Sequence, residues 1–188
     1  NINGTDLTRV CYGIYASGYI LITNGTINID VKSSHYAYGV YGDVSFRKEG
    51  TKPAALNVKA ETTSSTCVSY ATHRGSLYIR GRSDITVNAE AIGPKYAEAI
   101  YQNLDIQNAA PVITAKAHDG AGNITENHYG LHHEASNHLA FTSGGKLTID
   151  GHVKLTTYPS PKMNGNTVVT TPTNGDYYWA EDGLLKDL

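Results

Sequence analysis

Histidine and tyrosine are the side chains here with the most chemistry to offer. The 188 residues include 8 His and 14 Tyr. Five of the His fall close together, at His118, His128, His132, His133 and His138. Clustered imidazoles make a metal site only when they converge on one ion. His128 and His132 would share a face of a helix. On a strand they also share a face, but about 13 Å apart, too far to hold one ion. The pair His133 and His138, with Glu134 between them, is the remaining weak metal candidate, and no Cys joins it.

Catalysis of sugar cleavage would need a paired acid and base, or carboxylates holding Ca²⁺ beside a proton abstractor. No Ser-His-Asp arrangement, Gly-rich phosphate loop leading into a helix, or Cys-pair zinc spacing is present, so no catalytic residue and no cofactor is expected. With 15 Lys+Arg against 17 Asp+Glu and a net charge of −2, the chain carries no electrostatic footprint for nucleic acid. No apolar run is long enough to span a bilayer, and contact of this segment with a membrane is not expected.

The elements that must position these residues repeat along the chain. Thr26-Ile27-Asn28-Ile29-Asp30 matches Ala55-Leu56-Asn57-Val58-Lys59, Asp84-Ile85-Thr86-Val87-Asn88, Val112-Ile113-Thr114-Ala115-Lys116 and Lys146-Leu147-Thr148-Ile149-Asp150. A second column runs Tyr12-Gly13-Ile14-Tyr15, Tyr38-Gly39-Val40-Tyr41, Val68-Ser69-Tyr70-Ala71, Glu98-Ala99-Ile100-Tyr101 and Tyr129-Gly130-Leu131-His132. A third holds Ile20-Leu21-Ile22, Val44-Ser45-Phe46, Leu77-Tyr78-Ile79, Leu104-Asp105-Ile106 and Leu139-Ala140-Phe141. Each segment alternates at period two and is bounded by Gly, Asn, Ser or Asp.

Three short strands per repeat predict an all-β, parallel β-solenoid of about five coils of 26–34 residues over 1–157. A right-handed winding is expected from the bias of parallel crossovers. Residues 158–188 break the pattern with Pro159, Pro161 and Pro172 and read as a cap or exit linker. A β-sandwich would also alternate but has no cause to keep a step near 29.

Equivalent positions should touch between coils. The alignment predicts an outward column Asn28, Asn57, Thr86, Thr114, Thr148 and beside it Asp30, Lys59, Asn88, Lys116, Asp150. It also puts Cys11 and Cys67 at the small-residue position of Ala37 and Ala97, two coils or about 9.6 Å apart, beyond disulfide reach. Two free, buried thiols are therefore expected. Tyr12 stacks on Tyr38 and Tyr15 on Tyr41, with Tyr101 further along. Such a strip serves as a cross-strand ladder, or as a glycan-binding face on which sugar C–H faces lie on the rings.

The run Leu77-x-Ile79-x-Gly81-x-x-x-Ile85-x-Val87-x-Ala89, followed by Ala97-x-Ala99-Ile100-Tyr101, resembles the β-helix repeats of large cell-surface proteins of gut-dwelling Gram-positive bacteria. The resemblance covers about residues 10–157. It implies an extracellular, cell-surface or wall-associated setting and a non-catalytic stalk or adhesin role, with glycans or cell-surface molecules as partners. The glycan-binding candidates are Tyr12, Tyr15, Tyr38, Tyr41 and Tyr101. The alternative is a polysaccharide lyase or glycoside hydrolase on the same scaffold.

Overall fold

A computed structural model of the chain describes residues 1–6, 9–46, 52–133, 139–141 and 145–155, with three further short strands between 168 and 187. The chain forms β1 (Ile2–Asp6), β2 (Cys11–Ile22), β3 (Gly25–Ser33), β4 (Ala37–Phe46), β5 (Ala54–Thr62) and β6 (Ser69–Arg80). It continues with β7 (Ile85–Ile92), β8 (Ala97–Ala109), β9 (Val112–His118), β10 (His128–His133), β11 (Leu139–Phe141), β12 (Lys146–Asp150) and β13 (His152–Leu155). Last come β14 (Val168–Val169), β15 (Tyr177–Trp179) and β16 (Leu185–Asp187).

Through β10 the odd- and even-numbered strands sort onto two walls. One sheet has the order β1-β3-β5-β7-β9-β12; the other runs β13-β10-β8-β6-β4-β2, with β11 also on β8. Every pairing within these two sheets is parallel. The chain is thus a parallel β-solenoid of about four turns, close to the expected five, and not a sandwich. Of the segment expected to cap the stack, 158–188, only β14–β16 are described, as a small antiparallel sheet.

Burial explains the stacking. Along β5 the residues alternate buried and half-buried over all nine positions. The inward side of each strand meets its equivalents above and below, giving files such as Ile27, Leu56, Val87, Ile113, Leu147 and Val44, Leu77, Leu104. These merge with Phe46, Ile79, Ile106 and their neighbours into one core, since no single coil can cover its own apolar face.

The third coil departs from the expected alignment by two residues. Asn88, not Thr86, pairs with Asn57; Ala89, not Val87, with Val58; and Glu90 follows Lys59. On the other wall Thr72, not Tyr70, lies between Val40 and Ile100. A slip of two leaves every side chain on its own face, so apolar alternation cannot detect it. The surplus is absorbed in the turn before β6, where Ser64 Oγ accepts the backbone N–H of Thr66 at 3.2 Å and of Cys67 at 3.1 Å. Ser69 consequently takes the position expected for Cys67. Neither Cys11 nor Cys67 is in a disulfide, and both are half-buried rather than buried.

The turns are tied by buried polar groups. Thr62 Oγ1 donates to His35 O at 2.5 Å and accepts from Ser64 N at 3.1 Å; Ser33 Oγ donates to Arg9 O in the equivalent place and accepts from His35 N. Across three stacked turns on the other side, Arg82, 4% exposed, donates to Thr23 O at 2.5 Å and Lys52 O at 2.7 Å. It also grips both oxygens of Asp84 at 2.9 Å, which holds that carboxyl below its usual range. A buried guanidinium is tolerated because its donors are met in this way.

Candidate functional site

The long strands of the seven-stranded sheet turn a corner midway, where Gly39 and Val40 are both buried and the alternation skips a beat. The corner file is Gly13, Gly39, Ala71, Ala99 and Gly130. It is matched across the core by Ile29, Val58, Ala89, Ala115 and Ile149. Glycine faces the branched residues and alanine faces alanine. A Cβ at Gly39 would lie 2.1 Å from Val58 Cγ1 and 2.6 Å from Ala71 O; at Gly13 it would meet Ile29 Cγ2 at 2.3 Å, and at Gly130 Ile149 Cγ2 at 2.5 Å.

Because of this corner, outward residues three apart point to the same side. Tyr12 and Tyr15 meet edge to face at 5.4 Å, and Tyr38 and Tyr41 at 5.5 Å. Two adjacent ladders result. One stacks Tyr12 on Tyr38 at 4.9 Å and Tyr38 on Tyr70 at 5.2 Å, then continues through Glu98 to Tyr129. The other stacks Tyr15 on Tyr41 at 5.1 Å and Tyr41 on His73 at 5.2 Å. It continues with Tyr101, edge-on to His73 at 4.8 Å, and His132, stacked on Tyr101 at 4.3 Å.

The structure therefore brings together Tyr12, Tyr15, Tyr38 and Tyr41 and sets Tyr101 in the same file as Tyr15 and Tyr41. It also shows that the rings spend their faces on one another. Within the ladders the groups left to a visitor are ring edges and phenol hydroxyls, not the open faces that sugar stacking requires. Exposure rises toward β2, with Tyr12 at 43% and Tyr15 at 61%. Burial and neighbouring phenols raise the Tyr12 phenol and push that of Tyr38 up to about 12; burial, then Glu98, raises that of Tyr70.

Tyr70, His73, Glu98 and His132 complete the ladders; the sequence alignment carries Glu98 and His132 in the right column but misplaces Tyr70 by two and omits His73. The signal was available: an aromatic or Glu followed three residues later by Tyr or His, around a small residue, on each of β2, β4, β6, β8 and β10.

Beside the second ladder the strands bulge. β6 carries one residue more than β4 and β8 between its paired segments, and Arg74 and Gly75 there adopt φ of 66° and 78°. Asp43 Oδ1 accepts Ser76 N–H at 2.7 Å. Gln102, 2% exposed, donates to Gly42 O at 2.5 Å and Arg74 O at 3.0 Å, leaving Oε1 without a hydrogen-bond partner. Two hollows open along this bulge, of about 310 Å³ against Tyr15, Gly18 and Asp43 and about 190 Å³ against Tyr101, Asn103 and His132; Arg74 and Gly75 line both. Arg74 Nη1 donates to Tyr41 Oη at 2.9 Å, and its guanidinium lies 5.4 Å from the ring centroid.

The histidines are mostly structural. His128 fills the inward file of Ala37, Ser69 and Ala97. Its Nδ1 accepts Thr125 N–H at 3.0 Å and its Nε2 meets Gly93 O at 2.9 Å. That fixes one neutral tautomer, and burial lowers its pKa. His132 Nδ1 lies 2.8 Å from Glu98 Oε2. Among the described residues no three His, Cys, Asp or Glu gather around a common point. Of the metal candidates, His138 and the side chain of His133 lie outside the described residues.

The six-stranded sheet shows a different surface. Asn88 donates to Asn57, Asn57 to Asn28 and Asn28 to Asn1, each at 2.8 Å. Next to this ladder run Asn3, Asp30, Lys59, Glu90, Lys116 and Asp150. The alternating charges, Asp30, Glu90 and Asp150 against Lys59 and Lys116, report register and nearly cancel. A shallow groove of about 610 Å³ lies over this face.

Compared with protein-family models, curated proteins and solved structures, the chain matches none.

Proposed function

We propose that this chain is a non-catalytic repeat module of an extracellular, cell-surface protein, a stalk or adhesin segment whose paired ladders bind an extended glycan. The observation that supports this most is periodic. Phenol and imidazole edges recur along the solenoid axis every 4.3–5.2 Å between stacked neighbours, close to the rise of one pyranose in an extended β-linked chain. Hydroxyl-to-hydroxyl hydrogen bonding to successive sugars then replaces ring-face stacking as the main contact, and the bulge hollows supply relief in which rings can settle.

The alternative, a polysaccharide-cleaving enzyme, draws on the Glu98–His132 pair next to Tyr101. Yet His132 is 5% exposed and Tyr101 covers a face of its ring, a poor position for proton transfer to a bound chain. The other carboxylate beside the ladders, that of Asp43, holds the backbone of Ser76.

A glycan array with the intact chain tests the proposal, compared with the Tyr15→Phe/Tyr41→Phe double variant. That variant keeps the stacks and removes two hydroxyls. Binding weakened about tenfold, as expected for two lost hydrogen bonds, supports the reading. Binding unchanged by the substitutions, or no binding at all, contradicts it. Shortening of a bound oligosaccharide on prolonged incubation would favour the enzyme.

A further inference from the structure

Arg74 is the feature the ladder geometry does not explain. Its backbone sits at φ 66°, a region that L side chains other than Asn and Asp seldom adopt. In the neighbouring coil this stretch is served by Gly42, at φ 132°. A residue added to β6, an unfavourable backbone and a tight Gly75, where a Cβ would meet Asp43 Oδ1 at 2.3 Å, together lift one guanidinium between the two hollows. Observed strain of this kind points to a role for the side chain it presents.

The charge that Arg74 presents is not closed by an ion pair, although the Asp43 carboxylate acts on it from further off. No described carboxylate lies within ion-pair distance of it, whereas Lys32, Arg80 and Arg82 each have one. Among the described residues its guanidinium donates to the Tyr41 hydroxyl, which with the ring contact fixes the fork in place. A guanidinium has five N–H donors in a planar fork that matches a carboxylate two bonds at a time. Asp43, the nearest acidic neighbour along the bulge, is turned to the Ser76 backbone.

We infer that the ladder furrow selects an acidic glycan and that Arg74 receives the carboxylate of a uronic acid unit, with the neighbouring sugar rings in the hollows on either side. This deepens the glycan-binding reading and rests on it. The hollows share Arg74 as a common wall, so one sugar carboxylate between them meets the cation without leaving the chain direction. The planar fork favours a carboxylate over a neutral hydroxymethyl group at the same carbon, and attraction to a lone exposed cation weakens with salt.

The test is calorimetric titration of the intact chain at low ionic strength. The probes are oligogalacturonate, oligomannuronate and glucuronate-containing oligosaccharides, each beside its carboxyl-reduced neutral form and a sulfated neutral oligosaccharide. Wild type is expected to bind at least one uronate oligomer tenfold or more tighter than its reduced form, with affinity falling as salt rises. Arg74→Gly, which suits the backbone and so folds, should erase that preference; Arg74→Lys should keep only part of it. Equal binding of uronate and reduced forms, preference for the sulfated probe, or discrimination that survives Arg74→Gly overturns the inference and leaves neutral-glycan binding standing. Absence of binding to every oligosaccharide removes the glycan reading itself, and this inference with it.

Discussion

Gly39→Ala is a small change that this architecture resists strongly. The added methyl would overlap Val58 Cγ1 at 2.1 Å and the Ala71 carbonyl oxygen at 2.6 Å. Overpacking against a fixed backbone costs about 3 kcal/mol. Val58→Ala alone, at a position 3% exposed, removes two methyl carbons and leaves a void, for about 2.5 kcal/mol. Combined, the two substitutions recreate the Ala71 and Ala89 pairing that the next coil already carries. The Val58 overlap vanishes and the carbonyl contact remains, so the double variant should lose about 3.5 kcal/mol rather than the additive 5.5, a coupling of about 2 kcal/mol. Guanidinium melts followed by far-UV circular dichroism measure all four proteins, with equal slopes required for comparison. Additivity within about 0.5 kcal/mol would refute the argument that corner and wall residues are matched in size.

Arg82→Met should cost about 3 kcal/mol in the same melts, because it strips the donors from Thr23 O, Lys52 O and Asp84 at once; a loss under about 1 kcal/mol would mean the three turns hold without it. His128 has a folded-state pKa below its ordinary value, so the unfolded chain binds more protons below about pH 6.5 and stability should fall as the pH drops from there. His128→Gln should flatten that part of the melting-temperature profile, and an unchanged slope would assign it elsewhere. For Tyr38 the folded value is raised to about 12. Its contribution is intact below the ordinary phenol value near 10 and is lost as the pH climbs to about 12. Tyr38→Phe should make the alkaline decline in melting temperature shallower; an identical decline would contradict the burial of that phenol.

The parallel stack was legible because inward files such as Ile27, Leu56 and Ile113 and the repeating Tyr pairs recur at nearly constant steps, which only a winding chain requires. Tyr12, Tyr38, Tyr15 and Tyr41 were placed correctly for the same reason. The third coil slipped by two because alternation is blind to even shifts, and that slip hid Tyr70 and His73 from the ladders and moved Cys67 out of its file. Arg74 and Arg82 were not legible at all. Arg74 depends on a one-residue bulge and a positive φ, and Arg82 on carbonyls contributed by turns 30 and 59 residues earlier; neither leaves a periodic trace. That the ring faces are consumed by stacking follows from the side-by-side ladders the corner creates, which residue types alone do not state.

Hydroxyl-radical footprinting of the chain with and without a saturating bound oligosaccharide addresses the functional account most directly, since it reports which exposed side chains the ligand covers. Reduced oxidation at Tyr15 and Tyr41, with Val112 on the opposite sheet unaffected, is the expected pattern. Protection at Val112 with none at Tyr15 or Tyr41 would put the ligand on the asparagine face and contradict the account.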